Sequence, residues 1–204
     1  MLRDLPGTYP VEPQGVGLVT PQWITISGNG FPGATLILLD GQKINAPFTD
    51  YAYLTTIPVH AVDRIEVIRG PFSALYGSSA GGGIINIITK DGGSKSYAAP
   101  WGQAGNFDRH DYGVDAGIVW KNFSLGLFFD HKNVGNYYLY DDKGLDVRNR
   151  DYEHNRFHAK LTGTLGESTH ISLSGGTIDG ETGFGISDHL GLENHQDIEQ
   201  PYIN

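Results

Sequence analysis

The sequence contains no cysteine and one methionine, Met1. A disulfide framework and thiolate chemistry are therefore excluded. Basic charge is scarce: 14 Lys and Arg stand against 23 Asp and Glu, for a net charge of −9. Phosphate binding needs a basic surface, so no nucleic-acid partner is expected. No apolar run approaches the ~18–20 residues of a membrane-crossing helix. A membrane β-barrel would also lack one, because its strands are short and alternate. Met1-Leu2-Arg3-Asp4-Leu5-Pro6-Gly7 has neither a basic n-region nor an apolar h-region, so no secretory leader is read there. No Ser, His and Asp set has a nucleophile context such as Gly-x-Ser-x-Gly, and neither catalysis nor a cofactor is expected. The glycine loop Gly77 to Gly83 lacks Gly-Lys-Ser/Thr and precedes an apolar strand rather than a helix, which argues against a phosphate cradle.

Glycine is abundant, 29 of 204 residues, about twice the usual ~7%. Residues 1–92 read as one compact α+β unit. Leu2 to Leu5 suits the last turn of a helix, stopped by Pro6-Gly7. Residues 8–22 are rich in Pro and Gly and read as loop. Trp23 to Ile26 is a short strand. Thr35 to Leu39, Asp40-Gly41 and Gln42 to Ile44 form a hairpin, since Asp-Gly suits a type I′ turn. Pro58 to Val62 suits a helical turn leading into a strand from Arg64 to Arg69. Ser73 is the expected N-cap of a turn through Tyr76. Ile84 to Ile88 is almost continuously apolar, which predicts burial on both faces.

After the linker Asp91-Gly92-Gly93-Ser94 the pattern becomes period two, with many aromatics. Positions 123, 125, 127 and 129 are all apolar. Phe157, Ala159 and Leu161 share one face, and His158, Lys160 and Thr162 the other. Strands are predicted near 95–104, 108–120, 122–133, 152–164 and 169–179, in the length range of barrel strands. Lys121-Asn122 and Gly166-Glu167-Ser168 are tight turns, whereas 134–150 and 182–204 are long, polar connections. Residues 93–204 alone fit a membrane barrel and a soluble antiparallel sandwich equally well. His154 and His158 would share a strand face about 13 Å apart, too far to hold one metal, and read as solvated or lumen-facing. Asp141, Asp142, Asp146 and Asp151 crowd one loop without calcium-loop spacing; an ordinary charged external loop is the simpler reading.

Three motifs stand in order: Ile65-Glu66-Val67-Ile68-Arg69-Gly70-Pro71, Ser73-Ala74-Leu75-Tyr76-Gly77, and Gly81-Gly82-Gly83-Ile84-Ile85-Asn86-Ile87-Ile88-Thr89-Lys90. Together with Leu5-Pro6-Gly7 and Leu36 to Gly41, they resemble the plug domain of TonB-dependent outer-membrane receptors. The resemblance implies an α+β plug domain over 1–92, followed over 93–204 by antiparallel transmembrane β-barrel strands that make an incomplete barrel. The family's barrel has about 22 strands, and roughly five cannot close around a plug. The coupling box that engages TonB is expected upstream of Met1, so the chain reads as a fragment of a receptor. By resemblance its partners are TonB and an iron-siderophore, cobalamin or similar scarce ligand, and its location is the bacterial outer membrane. A soluble β-rich binding module, or a plug-derived fragment without transport, is the alternative.

The family's ligand first meets apical plug loops. Here these map to Gln14 in the Pro/Gly-rich loop, and to Asn45, Phe48, Thr49, Asp50, Tyr51 and Tyr53. Aromatics there can stack on a planar ligand, while Asn and Asp hydrogen-bond it. Family plug arginines pair with barrel glutamates; Arg69 holds that position, with Glu66 on the same strand. Ser27 stands where the family usually has a second arginine, which halves the expected lock.

Overall fold

The computed structural model describes residues 8–11, 23–26, 34–47, 49–135, 139–140, 146–148, 151–166, 168–183, 186–187 and 195–203. The expected helix end at Leu2 to Leu5 lies outside them. Strands β1 (Thr8–Val11) and β2 (Trp23–Ile26) pair antiparallel. The loop expected over 8–22 thus begins with a strand, one that accommodates Pro10 because a two-stranded ribbon consists only of edges.

Four strands form the plug sheet: β3 (Thr35–Leu39), β4 (Gln42–Lys43), β5 (Val62–Arg69) and β6 (Gly83–Thr89). Their order is β4-β3-β6-β5, with β3 and β6 parallel. Asp40 and Gly41 have φ of 48° and 89°, both positive as the expected type I′ turn requires. Strands β3 and β6 are mostly apolar, with Thr35, Asn86 and Thr89 as polar exceptions, and both of their faces are covered. Ile37, Leu39, Ile85 and Ile87 pack on one side with Ile26, Ala52 and Ile57; Leu36, Leu38 and Ile84 pack on the other with Ala80 and Phe72. A 3₁₀ turn at Val59–Ala61 enters β5, as the sequence indicates. Helical turn α1 (Ser73–Tyr76) has Phe72 as its N-cap, not Ser73, and no side chain caps it.

Six long strands build a wall beside the plug: β7 (Tyr97–Gly105), β8 (Arg109–Trp120), β9 (Phe123–Val134), β12 (Tyr152–Leu165), β13 (Thr169–Gly183) and β15 (His195–Ile203). Three short strands, β10 (Leu139–Tyr140), β11 (Asp146–Arg148) and β14 (Ile186–Ser187), pair in the long connections. The wall runs β15-β13-β12-β9-β8-β7, antiparallel throughout and not closed. Five strands fall where the alternation placed them. The sixth, β15, occupies part of the segment read as a long polar loop.

Burial distinguishes barrel from sandwich. The polar face of the wall is covered: Asp111, Asp130, His154, Arg156, His158, Lys160 and Ser174 are all buried. The apolar face is open: Ile118 is 50%, Trp120 66%, Phe157 41% and Leu173 54% exposed. A sandwich packs its apolar face inward; a membrane barrel turns it out to lipid. Cross-strand register gathers the open face into rows, among them Ile118, Leu125, Leu161 and Leu173. Tyr112 and Trp120 mark the band's two edges on β8. With barrel-like tilt their separation spans roughly 20 Å across the membrane, close to the ~25 Å apolar band of such proteins. Among the described residues no helix is long and apolar enough to cross a membrane.

The segment leaving the plug lies flat on the wall. A Cβ on Gly92 would fall 2.6 Å from the Leu125 nitrogen, and backbone cannot give way as a side chain does. Gly92→Val is expected to displace this exit and destabilise the protein by about 1–3 kcal/mol, read as a lower thermal midpoint in detergent. An unchanged midpoint would show that the close approach is absent in solution.

Candidate functional site

The apical loop from Asn45 to Tyr53 is internally braced. Ala46 N–H donates to the Tyr51 carbonyl (2.7 Å) and Asp50 N–H to the Ala46 carbonyl (2.9 Å). Asn45 is buried, and its side chain serves the backbone. Its Oδ1 accepts from Ile37 N–H (2.7 Å), while Nδ2 donates to the carbonyls of Thr35 (3.1 Å) and Asp50 (2.8 Å). Asn45 therefore shapes the loop. Asp50, at φ 54°, accepts from Ser79 Oγ (2.7 Å) and Lys43 Nζ (3.3 Å). Tyr53 leans on Ile178 of β13. Thr49 is exposed and Tyr51 half-buried. Gln14, Phe48 and Ser27 lie outside the described residues.

Arg69 ends β5 in an exposed position opposite Gly83. Glu66, three rungs in, accepts from Arg64 Nε at 2.9 Å. The sequence reading overlooked a different junction. Asp40, at the β3–β4 turn, accepts four hydrogen bonds. Its Oδ1 takes Thr89 N–H (3.0 Å) and Lys160 Nζ (2.7 Å); its Oδ2 takes Thr89 Oγ1 (2.6 Å) and Ser174 Oγ (3.0 Å). Lys160 Nζ also reaches the Thr89 carbonyl at 2.8 Å. The two charged side chains are 9% and 7% exposed. Burial by itself would push the Asp40 carboxyl up. The hydrogen bonds from Lys160 and Thr89, with the lysine's charge, outweigh it and hold the group below the usual aspartate value. Here the plug supplies the anion and the wall the cation, the reverse of the polarity expected at Arg69.

Two further contacts cross from wall to plug. Arg156 grips Asp130 on the neighbouring strand through both Nε (2.7 Å) and Nη2, and its Nη1 donates to the Ile57 carbonyl at 3.3 Å. Trp101 of β7 stacks on His60 of the plug, with ring centroids 4.0 Å apart. His154 and His158 face the lumen, as one of the two readings had it, but both are buried rather than solvated. Among the described residues no group of His, Asp or Glu is placed to hold a metal. Most of the Asp141 to Asp151 loop lies outside those residues.

Residues 1–84 match the family model for the TonB-dependent Receptor Plug Domain. Among solved structures the chain is similar to the copper transporter OprC, at 22% identity over 99% of this chain and 30% of that one, with a TM-score of 0.70. It is similar to the siderophore receptor PirA from Acinetobacter baumannii, at 22% identity over 87% and 28%, TM-score 0.61. It is also similar to the pyoverdine outer membrane receptor FpvA from Pseudomonas aeruginosa PAO1, at 14% identity over 74% and 21%, TM-score 0.56. The chain spans roughly a fifth to a third of the length of these proteins. Residues 1–84 are thus a TonB-dependent receptor plug, and the strands after it are arranged as in the barrels of such receptors, in a sheet that is not closed. That architecture belongs to the outer membrane, and the chain is placed there.

Proposed function

We propose that this chain is the plug and the first barrel strands of a receptor that imports a scarce ligand across the outer membrane, energised by TonB. The observation that carries the reading is the wall's inverted burial: apolar side chains face outward, while the charged face closes on a plug. Nothing in that arrangement calls for catalysis. The ligand class is a metal chelate such as an iron-siderophore, or cobalamin. The solved receptors it resembles include two named for siderophores or pyoverdine and one for copper.

Within this reading Thr49 and Tyr51 meet the ligand from the plug side, and Asn45 and Asp50 fix their loop. Gln14 and Phe48 are assigned to ligand binding by the resemblance alone, and Tyr53 joins the loop to the wall through Ile178. Arg69 and Glu66 are assigned to holding the plug, in addition to the Asp40 junction. The plug gives way to the wall at Gly92-Gly93.

The test is uptake of radiolabelled ferric siderophores by cells that carry the natural protein, with and without TonB. TonB-dependent accumulation is expected, and none from the 204 residues expressed alone. Equal accumulation without TonB, or transport by the isolated segment, would overturn the reading.

A further inference from the structure

Gly117 of β8 and Gly126 of β9 stand directly opposite one another inside the wall, and both are buried. Glycine weakens a strand, and within one it often marks the close approach of another backbone. Neither has positive φ, nor does Gly92, so conformation does not call for glycine at these three positions. Space does. A Cβ on Gly126 would lie 3.2 Å from the carbonyl carbon and oxygen of Asp91, and one on Gly117 would land on the Gly92 carbonyl oxygen and the Tyr97 ring. The two wall glycines floor a slot, and the chain leaving the plug lies in it.

The slot belongs to a longer row. Register continues from Gly117 and Gly126 to Lys160 of β12 and Ser174 of β13, the two wall residues that bind Asp40. One row across four strands thus receives both the Asp40 turn and the exit. The segment around the exit is braced as well. Lys90 N–H donates to the Ala61 carbonyl (2.7 Å), and Asp91 Oδ1 accepts from Gly93 N–H (2.8 Å). Beyond that turn Ser96 Oγ accepts from Val119 N–H (3.0 Å). A seat made of backbone has no rotamers through which to yield by degrees, and separating the partners of a buried ion pair is costly.

We propose that this row is a permanent dock. The end of β6 and the exit from Thr89 to Gly93 stay bound to β8, β9, β12 and β13 throughout import, and the rest of the plug rearranges about them without leaving the barrel. Ligand therefore passes on the sides of the plug turned away from this row. The proposal rests on the importer reading and adds to it which part of the plug does not move.

The test ties the dock shut. Lys90 and Thr162 line one cleft of about 370 Å³ between plug and wall, and neither belongs to the row. Lys90→Cys and Thr162→Cys are introduced together into the natural protein, in a form without other cysteines, and a short bifunctional thiol reagent that reductant can cleave joins them in cells. The probes are a radiolabelled ferric tris-catecholate and a ferric trihydroxamate. A part that stays still can be tied without slowing the cycle, so TonB-dependent accumulation is expected to remain within about twofold of that in unjoined cells. A larger loss that reductant reverses overturns the dock. Gly126→Val fills the slot and is expected to lower the yield of joining by about fivefold or more, as an overpacked exit is displaced. Undiminished joining in that variant, recovered folded from outer membranes, overturns the seat. Should Gly126→Val fail to fold, accumulation by the joined protein still decides. If unjoined cells accumulate neither probe, the importer reading fails, while the joining yield of Gly126→Val still tests the seat.

Discussion

Lys160→Met is expected to destabilise the plug's seat by roughly 3–5 kcal/mol, the usual consequence of removing one partner from a buried ion pair. The variant strands the Asp40 carboxylate, which loses its cation and one of its four hydrogen bonds. Asp40→Asn tolerates the same positive φ, because Asn adopts the left-handed region readily. The double variant Asp40→Asn, Lys160→Met should therefore recover much of the loss, as two neutral groups replace an orphaned charge. Thermal midpoints and protease cleavage of the plug in detergent read both. A loss below about 1 kcal/mol in the single variant would show that the pair does not hold the plug. Acid offers an independent check. The folded Asp40 value lies below the unfolded one of ~3.9. Its contribution is complete above that unfolded value and is lost as pH falls through the lower folded value. The wild-type plug should loosen in that acidic window, and the Asp40→Asn variant should be flat across it.

Leu161→Arg is expected to cost about 2–4 kcal/mol in a bilayer, the penalty for a cation near the midplane on a barrel's lipid face. Leu161 is 37% exposed and lies in the row with Ile118, Leu125 and Leu173. Thr164, a few residues further on, belongs to the lumen face with His170, and Thr164→Arg should cost little. The amount of folded protein recovered in outer membranes measures the difference. A soluble sandwich would behave otherwise: an arginine on an exposed face improves solubility without detergent and leaves the yield unchanged.

Local features were readable because their causes are local. The Asp40-Gly41 turn follows from two adjacent residues, and the twice-buried β6 from its run of isoleucines. Alternation located five wall strands, yet it could not say which face was covered. An apolar face pressed on a core and one turned to lipid leave the same mark in sequence. Strand β15 escaped because Gln196, Asp197, Glu199 and Pro201 break the apolar alternation; its pairing with β13 supplies the ladder that composition does not. The Asp40–Lys160 junction was beyond reach for another reason. Its members lie 120 residues apart, and each already had a sufficient local explanation, one as a turn former and the other as a polar strand position. Asn45 shows the converse. A polar residue in an apical loop invites assignment to a ligand, and only the three backbone bonds reveal that its side chain is engaged.

Two of the plug's ladders differ in how they meet tension. β1 and β2 pair Thr8 with Ile26 and Val11 with Trp23, so the Thr8 end of one strand adjoins the outgoing end of the other. Drawing these ends apart unzips the ribbon one rung at a time. β3 and β6 run side by side in the same direction, Thr35 beside Gly83 and Leu39 beside Ile87, and Thr89 is moored to the wall through Asp40 and Lys160. Traction on the Thr35 end shears that ladder, loading its evenly spaced rungs together. The plug is thus a weak joint in series with a strong one, and a tug from the N-terminal side exhausts the first before it strains the second.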